Sequence, residues 1–199
     1  MNRNQPPDQP SHAPPARPGC FIAVVGPSGG GKDSLMEAAA ARTGMVLARR
    51  VITRPASAGG EAFDGVTDAE FDRRRVAGEF ALHWSAHGLR YGISAEIDTV
   101  LARGQDVLAN LSRAVLPELS GRFACHRIIV VTATPQVLAA RLAARGRENA
   151  GDIARRLQRA SFPVDRSLSP VVVENNGTLE EAITAFIAAC QPAPSPDRG

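Results

Sequence analysis

The sequence predicts an α/β fold, a parallel β-sheet core with helices on both faces. Three observations carry that prediction. Strand-like apolar runs alternate with helix-like segments from residue 21 to residue 190. The strand runs are continuously apolar, as strands covered on both faces are. The first run ends in a glycine-rich loop that opens directly into a helix, the order expected of alternating β and α units.

"FIAVV", residues 21–25, is the first strand. "DSLMEAAAARTG" follows as a helix with Gly44 at its C-terminal end. "VLARRVIT", residues 46–53, reads as a second strand. "TDAEFDRRRVAG" reads as a short helix, with Thr67 or Asp68 at the N-cap, Glu70 close behind and Gly78 as terminator. "SAEIDTVLARG" is a further helix, and "DVLANL" and "RIIVVTA" are strands. "TPQVLAARLAARG" carries Pro135 in its first helical turn. "NAGDIARRLQRA" is helical and arginine-rich, "VVVEN" is the last strand and "TLEEAITAFIAAC" the closing helix.

The 199 residues fit one domain, expected over residues 20–190. Residues 1–19 and 191–199 are proline-rich and polar, the composition of disordered tails. No apolar run approaches the length of a membrane span, and the N-terminal residues lack the apolar core of a secretory signal. Cys20, Cys125 and Cys190 are far apart, odd in number and without metal-binding spacing. A reducing, cytoplasmic setting is the simplest reading of them. The net charge of +3 and the 5% aromatic content give little of the stacking surface that single-strand binders use. The expected partners are therefore small molecules, with no nucleic acid and no membrane.

Gly26, Pro27, Ser28, Gly29, Gly30, Gly31 and Lys32 match the phosphate-binding pattern G-x-x-x-x-G-K, between a predicted strand and a predicted helix. Glycines let backbone N–H groups turn toward phosphate oxygens, the helix N-terminus adds positive potential, and Lys32 adds a point charge. The next position ordinarily holds a hydroxyl for magnesium; here it is Asp33. Two readings of Asp33 stand. Its carboxylate is a hard oxygen ligand for Mg²⁺, or it is an acid favoured by the helix dipole. Ser34 is rotated by roughly 100° from that position and substitutes poorly. The pattern predicts binding of ATP with Mg²⁺.

Residues 21–189 resemble the guanylate-kinase-like branch of the P-loop kinases. The resemblance rests on "GPSGGGK", "TRP" (53–55), "GGE" (59–61), "AGEFALHWSAHGLRYGI", "GQDVLANLS" and "RLAARGREN". It implies a P-loop NTPase fold whose parallel sheet carries an acceptor-binding insertion and an arginine-rich lid. Within the branch, "GGGKDSL", "RRVITRP", "WSAHGLRYGI" and "NLSR" are most similar to the ribose 1,5-bisphosphate phosphokinases of phosphonate catabolism. Those enzymes make 5-phosphoribosyl 1-diphosphate from ribose 1,5-bisphosphate and ATP. A nucleoside monophosphate kinase, or a noncatalytic module of the same fold, is the alternative.

The departures from guanylate kinase concern the acceptor. The resemblance puts Leu82 where a glutamate reads guanine, Ile93 where a hydroxyl follows "YG", and Ser112, followed by Arg113, where an aspartate ends a strand. Leu and Ile offer a guanine N1–H no acceptor, and buried unpaired donors bind poorly. Arg54 in "TRP" and Tyr91 in "YG" survive as phosphate contacts. Arg49, Arg50, Arg90 and Arg113 fall on segments that line the acceptor side in the family, an excess suited to a ligand with two phosphates and no base. His87 is a candidate sugar or phosphate contact.

Arg141, Arg145, Arg147, Arg155 and Arg156 resemble the family's lid, with Arg145 and Arg156 at its matching positions. Cations that arrive on closure stabilise charge spread over the moving phosphoryl group. By the same resemblance, Asn175 or Asn176 reaches the adenine edge; Asn-Gly before a helix is equally ordinary turn chemistry. No general base stands out. Glu61, Asp64 and Asp106 are candidates to influence magnesium or ribose hydroxyls.

Overall fold

Strand β1 (Phe21–Val25) is buried at every position. Phe21, Ala23 and Val25 enter one apolar cluster and Ile22 and Val24 another. The run is continuously apolar because its alternating side chains meet two covered faces. The structure, a computed structural model, describes residues 17–55, 62–144 and 164–191.

β1 is the centre of a five-stranded sheet with β2 (Val46–Leu47), β7 (Val107–Asn110), β8 (His126–Thr132) and β9 (Val171–Glu174). The order is β2-β7-β1-β8-β9 and every pairing is parallel. Helices α1 (Lys32–Thr43) and α6 (Leu179–Cys190) cover one face, burying Leu35, Met36, Ala39, Ile183 and Phe186 against it. α6 opens on a capping box. The Thr178 hydroxyl accepts from the Glu181 N–H at 3.3 Å, and the Glu181 carboxylate accepts from the Thr178 N–H at 2.9 Å. The opposite face packs α3 (Ile97–Ala102), a 3₁₀ turn (Arg113–Glu118) and α4 (Leu119–Arg122). There Phe123 stacks on Phe21 with ring centroids 4.1 Å apart. α5 (Pro135–Ala144) follows β8.

The predicted strand at 46–53 is two strands in two sheets. β2 ends at Leu47, and β3 (Arg50–Ile52) begins a second sheet. An apolar pattern records burial without recording which sheet provides it, so the change of sheet at residues 48–49 leaves no mark in the run. The second sheet also contains β4 (Phe63–Gly65), β5 (Phe80–Ala86) and β6 (Leu89–Ser94), in the order β4-β3-β6-β5. This is the insertion implied by the resemblance. β5 and β6 form an antiparallel hairpin absent from the element-by-element reading. Its turn sets His87 at φ 54° and Gly88 at φ 74°, the left-handed pair that suits a two-residue hairpin. Because β6 runs to Ser94, α3 starts three residues later than predicted. α2 (Asp68–Val76) lies beside this sheet with Thr67, not Asp68, as its cap; the Thr67 hydroxyl accepts from the Glu70 N–H at 3.2 Å.

Arg17 to Gly19, grouped with the tail by composition, are held in place. Arg17 pairs with Asp106, and the Gly19 N–H donates to the Leu101 carbonyl at 2.8 Å. Cys20 and Cys125 precede the neighbouring strands β1 and β8, with Cα atoms 4.7 Å apart, and form a disulfide. This corrects the expectation of reduced thiols, since strand adjacency unites residues that the sequence keeps 105 apart. Cys190 is buried, and burial pushes its thiol up to about 12. Thiol titration at pH 8 will therefore find almost no reactive cysteine in the native chain, one after unfolding, and three after unfolding with reductant. Three reactive thiols after unfolding without reductant would refute the pairing.

Candidate active site

The phosphate loop leaves the C-terminal end of β1. At Gly26 a Cβ would collide with the Val131 carbonyl oxygen, and Gly31, at φ 89°, would drive one into Asn175. Only glycine fits either position. The Lys32 amine donates to the Gly26 and Pro27 carbonyl oxygens at 2.9 and 3.0 Å, folded back onto the loop that precedes it. Ser28 and Ser34 are exposed at the loop tip and in the first turn of α1, respectively.

Asn175 lies beneath this loop, only 3% exposed. Its amide donates to the Gly30 carbonyl at 2.9 Å, and its carbonyl oxygen faces Arg141 Nη2 at 3.4 Å. The polar atoms of Asn175 are thus engaged by the loop carbonyl of Gly30 and by Arg141 rather than turned to an open base edge. Asn176 accepts from the Thr134 N–H at 2.7 Å, a turn role. Arg141 was legible only as a lid residue. Its Nη1 is buried with no hydrogen-bond partner among the described residues, close to the Cβ direction of Gly31. Such an atom is expensive to leave unpaired unless a ligand oxygen completes it.

Asp33 is exposed in the first turn of α1, and Asn110 ends β7 beside it. The Asn110 amide donates to a carboxylate oxygen of Asp33 at 3.0 Å. Both line a cavity of about 260 Å³, together with Glu37, Arg49 and Arg50. Among the described residues no three His, Cys, Asp or Glu side chains converge on a metal-sized space. One carboxylate is nonetheless a fitting donor for Mg²⁺ carried in on phosphates, because that ion keeps waters and phosphate oxygens as its other ligands.

Beside the loop lies a cavity of about 390 Å³. Arg50 of β3, Trp84 of β5, His87 of the hairpin turn and Tyr91 of β6 line one side, and Ser112 and Arg113 after β7 line the other. Tyr91 stacks on Trp84, centroids 5.3 Å apart and planes 8° off parallel, and the Arg50 guanidinium carbon sits 5.4 Å from the Tyr91 centroid. Arg50 lines this cavity and the one at Asp33. Burial pulls the Arg113 guanidinium below its ordinary range, a penalty that an anion would offset. No Asp or Glu is among the described residues lining this cavity.

The neighbouring residues have partners of their own. Arg90 lies outside the cavity: it pairs with Asp68 at 2.8 Å and Asp72 at 2.7 Å and covers the Phe71 ring. Arg49 pairs with Asp64, at 3.1 Å, and Arg54 sits 4.2 Å above the Phe63 centroid. Leu82 and Ile93 belong to the core, 3% and 0% exposed, so they are neither walls of the cavity nor readers of a base. The Ser112 hydroxyl accepts from the Ala114 N–H at 3.3 Å, capping the 3₁₀ turn. Asp106 lies at the far end of β7, where it accepts from the Cys20 N–H and from Arg17. Glu61 and the lid arginines Arg145, Arg147, Arg155 and Arg156 lie outside the described residues. A larger cavity of about 580 Å³, between β2, β5 and α3, has no phosphate-loop residue in its wall.

The chain matches no protein-family model. It is 50% identical over 184 residues to ribose 1,5-bisphosphate phosphokinase PhnN of Ruegeria sp., covering 92% of this chain and 96% of that protein. It is 47% identical over 166 residues to the Agrobacterium fabrum protein of the same name, covering 81% and 91%. Identity to the bifunctional ribose 1,5-bisphosphokinase-thymidine phosphorylase of Cupriavidus necator is 49% over 173 residues; the match spans 86% of this chain and 29% of that longer protein. Among solved structures it is similar to guanylate kinase from Anaplasma phagocytophilum, with TM-score 0.55, 18% identity and 86% of each chain covered. That likeness establishes the fold.

Proposed function

We propose that this chain, which belongs to the ribose 1,5-bisphosphate phosphokinase family, transfers the γ-phosphoryl group of ATP to the 1-phosphate of ribose 1,5-bisphosphate. The products are 5-phosphoribosyl 1-diphosphate and ADP. The observation that carries this reading is the cavity beside the phosphate loop. It holds two arginines, Arg50 and Arg113, and no carboxylate among its described lining residues. A purine needs acceptors for its N–H groups, whereas a sugar with a phosphate at each end needs cations.

Phosphoryl transfer asks the protein mainly for positioning and for charge to balance that of the migrating group. The attacking oxygen belongs to a phosphate monoester, which is largely dianionic above pH ~6, so no side chain need remove a proton. Lys32 is the cation at the loop. Arg141 Nη1, buried near Gly31, is a donor for a phosphate oxygen, and Arg145 and Arg156 would close from the lid. Magnesium, held by Asp33, would neutralise phosphate charge. Tyr91, Trp84 and His87 wall the space for the ribose, and Arg50 and Arg113 take its phosphates. Phosphonate breakdown and 5-phosphoribosyl 1-diphosphate synthesis are the setting that suits this chemistry.

The parallel Trp84–Tyr91 pair favours one competing acceptor, a nucleoside monophosphate lying along aromatic faces. ADP release measured with ribose 1,5-bisphosphate, GMP, AMP, dTMP and UMP separates the two. Turnover with the sugar bisphosphate alone is expected, and turnover confined to a nucleotide would overturn the proposal. ATP binding with no turnover on any acceptor would point to a noncatalytic module. Asn175→Ala, which removes the prop under Gly30, is expected to raise the Kd for ATP about tenfold, the size of one lost buried hydrogen bond. Calorimetry on the two proteins checks it.

A further inference from the structure

Phosphate loops of this kind ordinarily hold magnesium through two positions: a neutral hydroxyl just after the loop lysine, and an aspartate on a nearby strand. In this chain the residue after Lys32 is Asp33. β7 is hydrogen-bonded to β1, with Asn110 in register with Val24, so Asn110 ends a strand just beside the start of the loop. Its amide donates to Asp33 at 3.0 Å across 77 residues of sequence. We infer that the two positions have exchanged charge: Asp33 carries the metal-binding carboxylate on the helix, and Asn110 is the neutral strand-end residue that positions it. This rests on the kinase reading above.

The chemistry of the pair argues for the exchange. A carboxylate only accepts hydrogen bonds, so Asn110 must present its NH₂ group to Asp33. Its carbonyl oxygen is then left as an acceptor for a metal-bound water. An aspartate at 110 beside Asp33 would bring two carboxylates to about 3 Å, where like charges repel. One anionic group is kept, and it has moved from strand to helix. There the α1 N-terminus also favours it, but the dipole alone gives no reason for an amide at 110.

The test is a charge swap, read as Mg²⁺-dependent ADP binding by calorimetry at a series of Mg²⁺ concentrations, with melting curves in parallel. Asp33→Ser is expected to weaken Mg²⁺-dependent ADP binding about tenfold, and the second change, Asn110→Asp, to restore it to within about threefold of wild type. Asn110→Ala alone is expected to cost about threefold, and only when Mg²⁺ is present. A double variant no better than Asp33→Ser, or an Asp33→Ser protein that binds like wild type, would overturn the exchange. The readout involves no acceptor, so a wrong acceptor assignment leaves it intact. Failure of the swap in a protein that still phosphorylates ribose 1,5-bisphosphate overturns the exchange alone.

Discussion

Lys32→Ala is expected to lower kcat/KM by about 10³-fold or more while the melting temperature stays within about 2 °C of wild type. The amine lies on the carbonyl oxygens of Gly26 and Pro27 at the loop rather than in the core, so its removal leaves the packing alone. The rate effect is large because a preorganised cation stabilises phosphoryl charge most strongly where water is excluded; a single such donor contributes about 10²–10³-fold in acyl transfer. Steady-state ADP release against a melting curve checks both halves. A variant within about tenfold of wild type would remove the loop from the mechanism.

Arg113→Ala is expected to lower kcat/KM for ribose 1,5-bisphosphate by about 10²-fold, mostly through KM, and to leave ATP affinity unchanged. Losing a partly buried guanidinium strands a phosphate without its charge-assisted pair. Arg113→Lys recovers only part of this, because an ammonium lacks the planar fork that takes two oxygens at once. The control is Arg90→Ala. Arg90 is occupied by Asp68 and Asp72, so its removal should leave KM unchanged. Equal losses for Arg90 and Arg113, in acceptor titrations at saturating ATP, would contradict the placement of both.

These two arginines also separate what is local in this chain from what is not. The loop, the central strands and the caps were legible because each is local: a glycine run after a buried strand, Gly44 closing α1, Thr67 or Asp68 with Glu70 opening α2. An arginine's partner is not local. Arg90 reaches its acids across 18 and 22 residues, and nothing around Arg90 itself announces them. The signal that was present lay in α2, where Asp68 and Asp72, four apart, form an acidic face awaiting a cation. Alternating burial in "FALHWSA" before "HG" likewise spelled a hairpin. Asn175 gave no such hint: a buried amide under a loop and an amide at a base edge look identical in sequence.

The chain crosses from the first sheet to the second at residues 48–49 and returns between Ser94 and Ile97. Arg50 therefore belongs to the second sheet, and Arg113 opens the 3₁₀ turn that follows β7 of the first. On the proposed acceptor reading, the two serve as the jaws of a calliper whose arms meet at those crossings. A guest with an anionic tip at each end fills the gauge, while one phosphorylated at a single end, such as ribose 5-phosphate, leaves a jaw idle however well its ring is accommodated.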